Sequence, residues 1–337
     1  MTTALNTSIP SILRLVHRSI AAAHQAGLEI RKLLESGDVE ALSKPGHDGE
    51  LDVYTAADLS SQCIIESSIR DIFPVIRIIG EEDDRVRDWV QRFELKPVLE
   101  TVLDPFGGKE CPDALKSVNL EDVIIWLDPM DGTSEFMAGL VEHVTILIGV
   151  ALMGKPVAGI VHQPFWKSLK NDEELVGRTV WAIRGMGIGE TVGTLGTPTV
   201  LTCHPFQAIQ RASSSKTIVV TSRSHQSPHV VKAIESIAPD EVIYAGGCGN
   251  KVLMLLEGKA NYYVYPSSGC KKWDTCGPEV LLNEAGGLLT DVFGSRYDYS
   301  PDVEHLNRLG VIASVCPNEQ KMILGRIPED VKIKLKG

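Results

Sequence analysis

Asp128 and Asp131 stand three residues apart in the stretch WLDPMDGTSEF, residues 126–136, directly behind the apolar run VIIW. A strand that delivers Asp128 to its end, a proline that blocks strand continuation and Gly132 at a tight turn would bring the two carboxylates side by side. Like charges held that close repel unless a cation lies between them, and carboxylate oxygens suit a hard divalent cation such as Mg²⁺. Thr133 can cap a helix over SEFMAGL, whose first N–H groups would face an anion. Cations and an anion-binding helix start in one turn suit a phosphate ester. The plainer reading is an Asx-type turn followed by a capped helix. A calcium EF-hand does not match, because Met130 fills the third position and the required Asp-Gly spacing is absent.

More acids join this turn. The run RIIGEED ends in Glu81, Glu82 and Asp83, CKKWDTCGPEV presents Asp274 just before an expected helix, and TAAD sets Asp58 three residues after Thr55. Each has a plain alternative: Thr55 with Asp58 fits a capping box, and Asp274 could cap the helix over TCGPEVLLNEAGG. Taken together they are hard to read as unrelated caps. Other signals carry less. GMGIGE imitates a dinucleotide loop but puts Glu190 in the last glycine position, GGCGNK lacks a glycine directly before its lysine, and His143 and His162 read as structural. Lys271 and Lys272 would place positive charge beside Asp274. Cys270 and Cys276 read as two reduced thiols.

The elements that must position these groups follow from periodicity. Ile12, Val16, Ile20, Ala23, Ile30 and Leu34 mark one face of a helix from Ser11 to Glu35, ended by Gly37. A second helix follows Thr55 and stops before Pro74. The stretch from Asp84 to Glu121 reads as a helix and a mobile loop. VIIWLD, HVTILIGVALM, PVAGIVHQP and RTVWAIRG read as an antiparallel meander, with a turn at Gly154 and Lys155. Gly185 to Ser215, rich in Gly, Thr, Ser and Pro, reads as an irregular strand and a linker. Strands and helices then alternate: KTIVVTSRS, a helix from Pro228 to Ile237, EVIYA, the helix NKVLMLLEGK opened by Lys251, ANYYVYP, the helix GPEVLLNEAGG, LLTDV and GVIAS. The expected division is an α+β unit over residues 1–205, holding most of the acids, and an α/β unit over 215–337.

Composition narrows the function. Thirty-three Lys and Arg against 44 Asp and Glu give a net charge of −11, which argues against a nucleic-acid partner. No apolar run reaches the roughly 18 residues of a membrane span, and the N-terminus has no basic-then-apolar leader, so a cytoplasmic protein without membrane contact is expected. Seven cysteines, an odd number with no CxxC pair, indicate neither a disulfide framework nor a zinc site.

GEED, DPMDGTSEF and WDTCGPEV resemble, in order and spacing, the three metal-site motifs of the inositol monophosphatase and fructose-1,6-bisphosphatase superfamily, and the resemblance covers almost the whole chain. Within it, TSRSH, GGCGNKV and GCKKWDTCGPEV resemble the 3′(2′),5′-bisphosphate nucleotidase family. The resemblance implies an α/β fold, a layered αβαβα sandwich, and a lithium-sensitive enzyme with two or three Mg²⁺ ions. It implies that Glu81, Asp128 and the carbonyl of Met130 hold one ion, that Asp128, Asp131 and Asp274 hold another, and that a looser third lies near Glu81. Asp58 and Thr133 resemble the pair that orients and deprotonates the attacking water. Gly132, Ser222, His225, Gly247 and Lys251 stand where the family contacts its substrate. The implied reaction removes the 3′-phosphate of adenosine 3′,5′-bisphosphate, with the 3′-phosphosulfate analogue and inositol 1,4-bisphosphate as further substrates. The alternatives are an inositol phosphate phosphatase and a nucleotide sensor without turnover; Asp58 with Thr133 argues against the sensor. A monomer acting on a phosphorylated small molecule is expected. The chain departs from the family at Ala56, where lysine is usual, at Ser134 to Phe136, where Lys-Glu-Tyr is usual, and at Ser222, where threonine is common. No departure removes a metal ligand, so what they touch is substrate affinity.

Overall fold

The computed structural model describes residues 9–37, 41–45, 51–82, 85–86, 105–166, 175–194, 200–209 and 216–336. The chain opens with helix α1, Ser11–Ser36, whose apolar stripe is buried from Ile12 to Ile30. Gly37, at φ 72°, ends it in the left-handed conformation and returns its N–H to Leu34 O. A hairpin of β1, Ala41–Pro45, and β2, Leu51–Thr55, leads into α2, Ala56–Ile72, which Thr55 caps. Strand β3, Arg77–Gly80, and the single turn α3, Asp113–Lys116, precede β4, Val123–Asp131. Half of the segment expected as a helix and loop between Asp84 and Glu121 lies outside the described residues.

After the short helix α4, Thr133–Met137, the meander runs through β5, Thr145–Leu152, β6, Lys155–Gln163, and β7, Leu175–Ile183. The turn between β5 and β6 sits at Met153 and Gly154, with φ of 50° and 73°. Two positive φ values twist the chain the way a tight hairpin needs. The meander does not decay into an irregular strand and linker after Gly185. It continues antiparallel through β8, Gly187–Thr194, and β9, Val200–Pro205, with one register shift between Leu175 and Arg178 of β7. The seven strands order as β3-β4-β5-β6-β7-β8-β9, with only β3 and β4 parallel.

The second sheet comes from β10, Ile218–Ser222; α5, Pro228–Ile237; β11, Glu241–Ala245; α6, Cys248–Leu256; β12, Tyr262–Tyr265; α7, Lys272–Glu284; β13, Leu288–Thr290; and β14, Val311–Ser314. Its order is β11-β10-β12-β14-β13, parallel around β10 and antiparallel around β14. Helices α8, Pro317–Arg326, and α9, Glu329–Lys336, close the chain.

The layers alternate. α1 and α2 cover one face of the seven-stranded sheet, and α6 and α7 lie between the two sheets. α5, α8 and α9 cover the far side of the second sheet. This is the expected five-layer αβαβα arrangement. β4 is buried at every position, as its apolar run requires of a strand covered by α2 on one face and α7 on the other. α7 approaches the first sheet very closely. A Cβ on Gly159 would stand 2.1 Å from Gly277 O, and one on Gly149 2.5 Å from Cys276 Cβ. Glycines at these positions let backbone meet backbone.

Candidate active site

The site is built where β3, β4, α2, α4, α6 and α7 meet. Parallel pairing sets Gly80 opposite Leu127, and Glu81 N donates to Leu127 O at 3.1 Å. Glu81 and Asp128 therefore leave neighbouring strands at the same level. Asp128 does not end its strand. β4 runs on to Asp131 through a bulge, and Pro129 sits in that bulge, where its missing N–H costs no ladder bond. Asp128 Oδ1 accepts Met130 N at 3.0 Å, so the plain Asx turn is present. Ser61 on α2 donates to Pro129 O at 2.7 Å and pins the turn from below.

Gly132 turns the chain at φ 93°, a conformation that side chains resist. Gly132 itself takes the cap position of α4, so Thr133 is the first helical residue and not the cap. Its hydroxyl is engaged elsewhere: Oγ1 lies 3.0 Å from Asp58 Oδ1 and 3.0 Å from Met130 O. The other oxygen of Asp58 completes the capping box, accepting Thr55 N at 2.6 Å and Thr55 Oγ1 at 2.7 Å. Asp58 thus closes the helix cap with one oxygen and meets the Thr133 hydroxyl with the other. Burial pushes this carboxyl up to about 7, against the Thr55 hydrogen bonds, with Glu82 and Glu81 adding repulsion.

Asp131 is gripped by α6. Cys248 N donates to Oδ1 at 3.0 Å, while Gly249 N and Thr145 Oγ1 donate to Oδ2, each at 2.8 Å. α6 begins at Cys248, ahead of the expected start, so its first N–H groups hold Asp131 and not a ligand. Lys251 consequently does not open the helix. It is 4% exposed, donates to Ala245 O at 3.4 Å and lies over the Tyr263 ring. Its charge favours the ionised form of Asp131, but burial still leaves that carboxyl above the usual range.

α7 likewise starts at Lys272, so Asp274 lies in the first turn and not ahead of the helix. Asp274 Oδ2 accepts Lys271 N at 2.7 Å. Burial, reinforced by Glu81, Asp131 and Asp274, pushes Asp128 well above the ordinary carboxylate range. Burial does the same to Asp274, with Cys270, Asp131 and Glu81 adding to it and Lys271 opposing. The Lys271 ammonium, 3.1 Å from Glu81 Oε1, places a positive charge among these acids.

This donor set fits a hard divalent cation. It offers carboxylate oxygens and the Met130 carbonyl, and no soft ligand. A carboxylate has about four lone-pair sites. Asp131 gives three to Cys248, Gly249 and Thr145, and keeps one on Oδ1. Among the described residues, no three of these groups stand close enough to form a closed metal shell as they lie. The repulsion that raises Asp128 and Asp274 is what a cation would relieve.

The expected substrate residues gather around this centre unevenly. Gly247, at φ 70°, caps α6, and a Cβ there would stand 2.7 Å from His143 O and 3.0 Å from Asp131 Oδ2. Ser222 is the last residue of β10 and His225 lies three residues beyond it, tied by His225 N donating to Ser222 Oγ at 3.3 Å. The sequence reading missed Glu135, Ser224 and Thr145, and gave Lys271 no partner. Glu135 and Ser224 meet at 2.7 Å from positions 89 residues apart, and only the fold brings them together. His162 is structural as expected, buried and bonded through Nδ1 to Thr179. His143 turns its Nδ1 to Gly246 N at 3.2 Å beside the site. Among the described residues, no helix is long and apolar enough to cross a membrane.

The chain is similar to known proteins in sequence and in fold. The human protein 3′(2′),5′-bisphosphate nucleotidase 1 is 36% identical over 321 residues, covering 95% of this chain and 96% of its own. The putative inositol monophosphatase 3 of Drosophila melanogaster is 30% identical over 322 residues, covering 94% of this chain and 82% of its own. The solved structure of a Thermotoga maritima IMPase superposes with a TM-score of 0.60 over 93% of this chain and 97% of its own, at 18% identity, a likeness of fold alone. Residues 14–330 match the inositol monophosphatase family, and the chain belongs to it.

Proposed function

We propose that the chain is a Mg²⁺-dependent 3′(2′),5′-bisphosphate nucleotidase that converts adenosine 3′,5′-bisphosphate to AMP and phosphate. The coarser activity, phosphomonoester hydrolysis, comes with the family. The observation that carries the catalytic reading is the divided Asp58 carboxylate, with Oδ2 in the helix cap and Oδ1 on the Thr133 hydroxyl at 3.0 Å. An ionised Asp58 draws the Thr133 proton toward itself and turns an oxygen lone pair outward. That lone pair can take a proton from water and aim the water at phosphorus. A pure binding protein needs no such relay.

Glu81, Asp128 and the Met130 carbonyl would hold one Mg²⁺, and Asp128, Asp131 and Asp274 a second, with a looser third near Glu81. When bound, the ions supply charge neutralisation for the phosphate dianion and the leaving alkoxide. Gly132, Gly247, Ser222 and His225 would contact the substrate. Lys251 serves from behind, as the internal counter-charge of Asp131. The substrate choice rests on the similarity to proteins named 3′(2′),5′-bisphosphate nucleotidase 1. The similarity to the Drosophila protein named putative inositol monophosphatase 3 favours the rival, an inositol phosphate phosphatase. Phosphate release over adenosine 3′,5′-bisphosphate, its 3′-phosphosulfate analogue, inositol 1,4-bisphosphate and inositol 1-phosphate separates the two. The proposal requires the highest kcat/KM on the bisphosphorylated nucleotide. A higher value on inositol 1-phosphate would hand the function to the rival.

A further inference from the structure

We propose that Glu135 is a positioning residue, a latch that fixes the loop at residues 222–226 to the acidic turn and so sets selectivity for substrates that extend beyond the cleaved phosphate. Glu135 follows Thr133 by two residues on α4 and is 3% exposed. A carboxylate buried to that degree needs partners, and a partner it holds is held firmly in return. The partners come from across the fold. Ser224 Oγ donates to Glu135 Oε1 at 2.7 Å, and the Arg223 guanidinium stands 3.9 Å from the same oxygen. Arg223 is half exposed and screened, so the hydroxyl bond is the firmer grip.

Two further contacts make this more than a single hydrogen bond. Gly246, between β11 and α6, is pressed against the same carboxylate: a Cβ there would stand 2.1 Å from Glu135 Cδ and 2.3 Å from Cγ. The segment behind Glu135 is closed as well, by Leu140 N donating to Glu135 O at 2.9 Å and Gly246 N donating to His143 Nδ1 at 3.2 Å. The gripped loop is tied within itself, His225 N donating to Ser222 Oγ at 3.3 Å and Gln226 Nε2 donating to Ser222 O. Holding Ser224 therefore positions Ser222 and His225 together.

The consequence is a division of labour. The cleaved phosphate meets Asp58, Thr133 and the acids, none of which depends on the loop. The remainder of a larger substrate meets the loop, whose distance from the acids Glu135 fixes. Only the choice of substrate rests on the proposed nucleotidase activity; the latch itself is a statement about the loop.

The test compares wild type with Glu135→Ala, Glu135→Gln and Ser224→Ala. Amide hydrogen exchange is followed over residues 222–226, and kcat/KM is measured with adenosine 3′,5′-bisphosphate and with p-nitrophenyl phosphate at saturating Mg²⁺. Losing the hydroxyl bond in Glu135→Ala and Ser224→Ala is expected to speed loop exchange and raise KM for the bisphosphate, each about tenfold. The loss on p-nitrophenyl phosphate is expected to be several-fold smaller. Glu135→Gln keeps an oxygen that accepts from Ser224 and is expected to recover most of both. Ser224→Ala opens the latch from the loop side without emptying the buried position, so the test survives a poorly folding Glu135→Ala. Unchanged loop exchange in both variants, equal losses on both substrates, or Glu135→Gln as damaged as Glu135→Ala would overturn the latch. A wild type without preference for the bisphosphate would instead refute the nucleotidase reading, and loop exchange alone would then decide the latch.

Discussion

One oxygen of Asp58 closes a helix cap while the other holds Thr133, so its protonation state decides whether Thr133 is oriented. Protonated, Asp58 stops accepting from Thr133. Ionised, it accepts. With the carboxyl raised to about 7 by burial, kcat/KM should climb with pH through an acid limb at or below about 7. Raising Mg²⁺ should move that limb to lower pH, because nearby cations favour the ionised form. A pH profile at two Mg²⁺ concentrations checks this. A second prediction concerns Asp128, pushed up by burial and by Glu81, Asp131 and Asp274. Asp128→Asn should cut turnover at saturating Mg²⁺ by at least about 10²–10³-fold, the scale of losing one transition-state electrostatic contact. The same change removes a repelling buried charge, so the melting temperature in chelator should rise. At this scale the sequence was most informative: Asp58, Glu81, Asp128, Asp131, Thr133 and Asp274 were all named from their motifs. It was silent on what faces them, because Thr145, Ser224 and Glu135 enter through pairings between distant segments.

Helix and strand limits were harder to read, for identifiable reasons. α6 and α7 start earlier than expected because their cap positions hold Gly247 and Lys271, which carry no capping oxygen to mark a start. Pro129 suggested a strand end, but a bulge places it where the ladder needs no donor. β8 and β9 were hidden by their glycines and threonines, although β8 pairs to β7 and β9 to β8. α1, by contrast, was legible from end to end, and it carries the third prediction. His24 on α1 packs edge-on against His162 of β6 with ring centroids 5.1 Å apart. Both His24 nitrogens are buried without a hydrogen-bond partner. Burial, with Arg31 nearby, lowers His24 to about 4, and burial also holds His162 well below the usual imidazole range, with His24 and Arg31 adding to it. The unfolded chain thus binds the proton first as pH falls below about 6.5. Stability is full above that value and is lost as pH drops toward 4, by on the order of 3 kcal/mol from His24. Urea unfolding between pH 7 and 4 should show the decline, and His24→Phe should flatten it. An equal decline in the variant would place the acid sensitivity elsewhere.

The whole molecule works because α7 crosses the gap between two sheets. Its first turn carries Asp274 to the end of β4, and Gly277 lies against Gly149 and Gly159. One apolar cluster runs from Val219 and Val264 in the second sheet through Leu253, Val280 and Leu281 to Leu147, Val161 and Val180 in the first. The alternation of layers was legible from the order of periodic segments. The closeness of α7 was not, since a glycine in a strand pattern does not say what approaches it. Gly159→Ala puts a Cβ 2.1 Å from the Gly277 carbonyl, a backbone atom that cannot swing aside. The expected cost is ~1–3 kcal/mol of overpacking. Displacing α7 also moves Asp274 away from Asp128, so turnover per folded molecule should fall as well. Denaturant melts and active-site-normalised kcat check the pair; a stability loss with unchanged turnover would detach α7 from the site.

Which bond is broken, and by what, decides the mechanism. Single-turnover hydrolysis of adenosine 3′,5′-bisphosphate with Mg²⁺ in ¹⁸O-labelled water, followed by phosphorus NMR and mass spectrometry, reads both at once. Water aimed by Thr133 and Asp58 at the 3′-phosphorus predicts label in the released phosphate, none in the nucleotide, and 5′-AMP as the product. Label in the nucleotide, release of the 5′-phosphate, or no turnover with Mg²⁺ would contradict it.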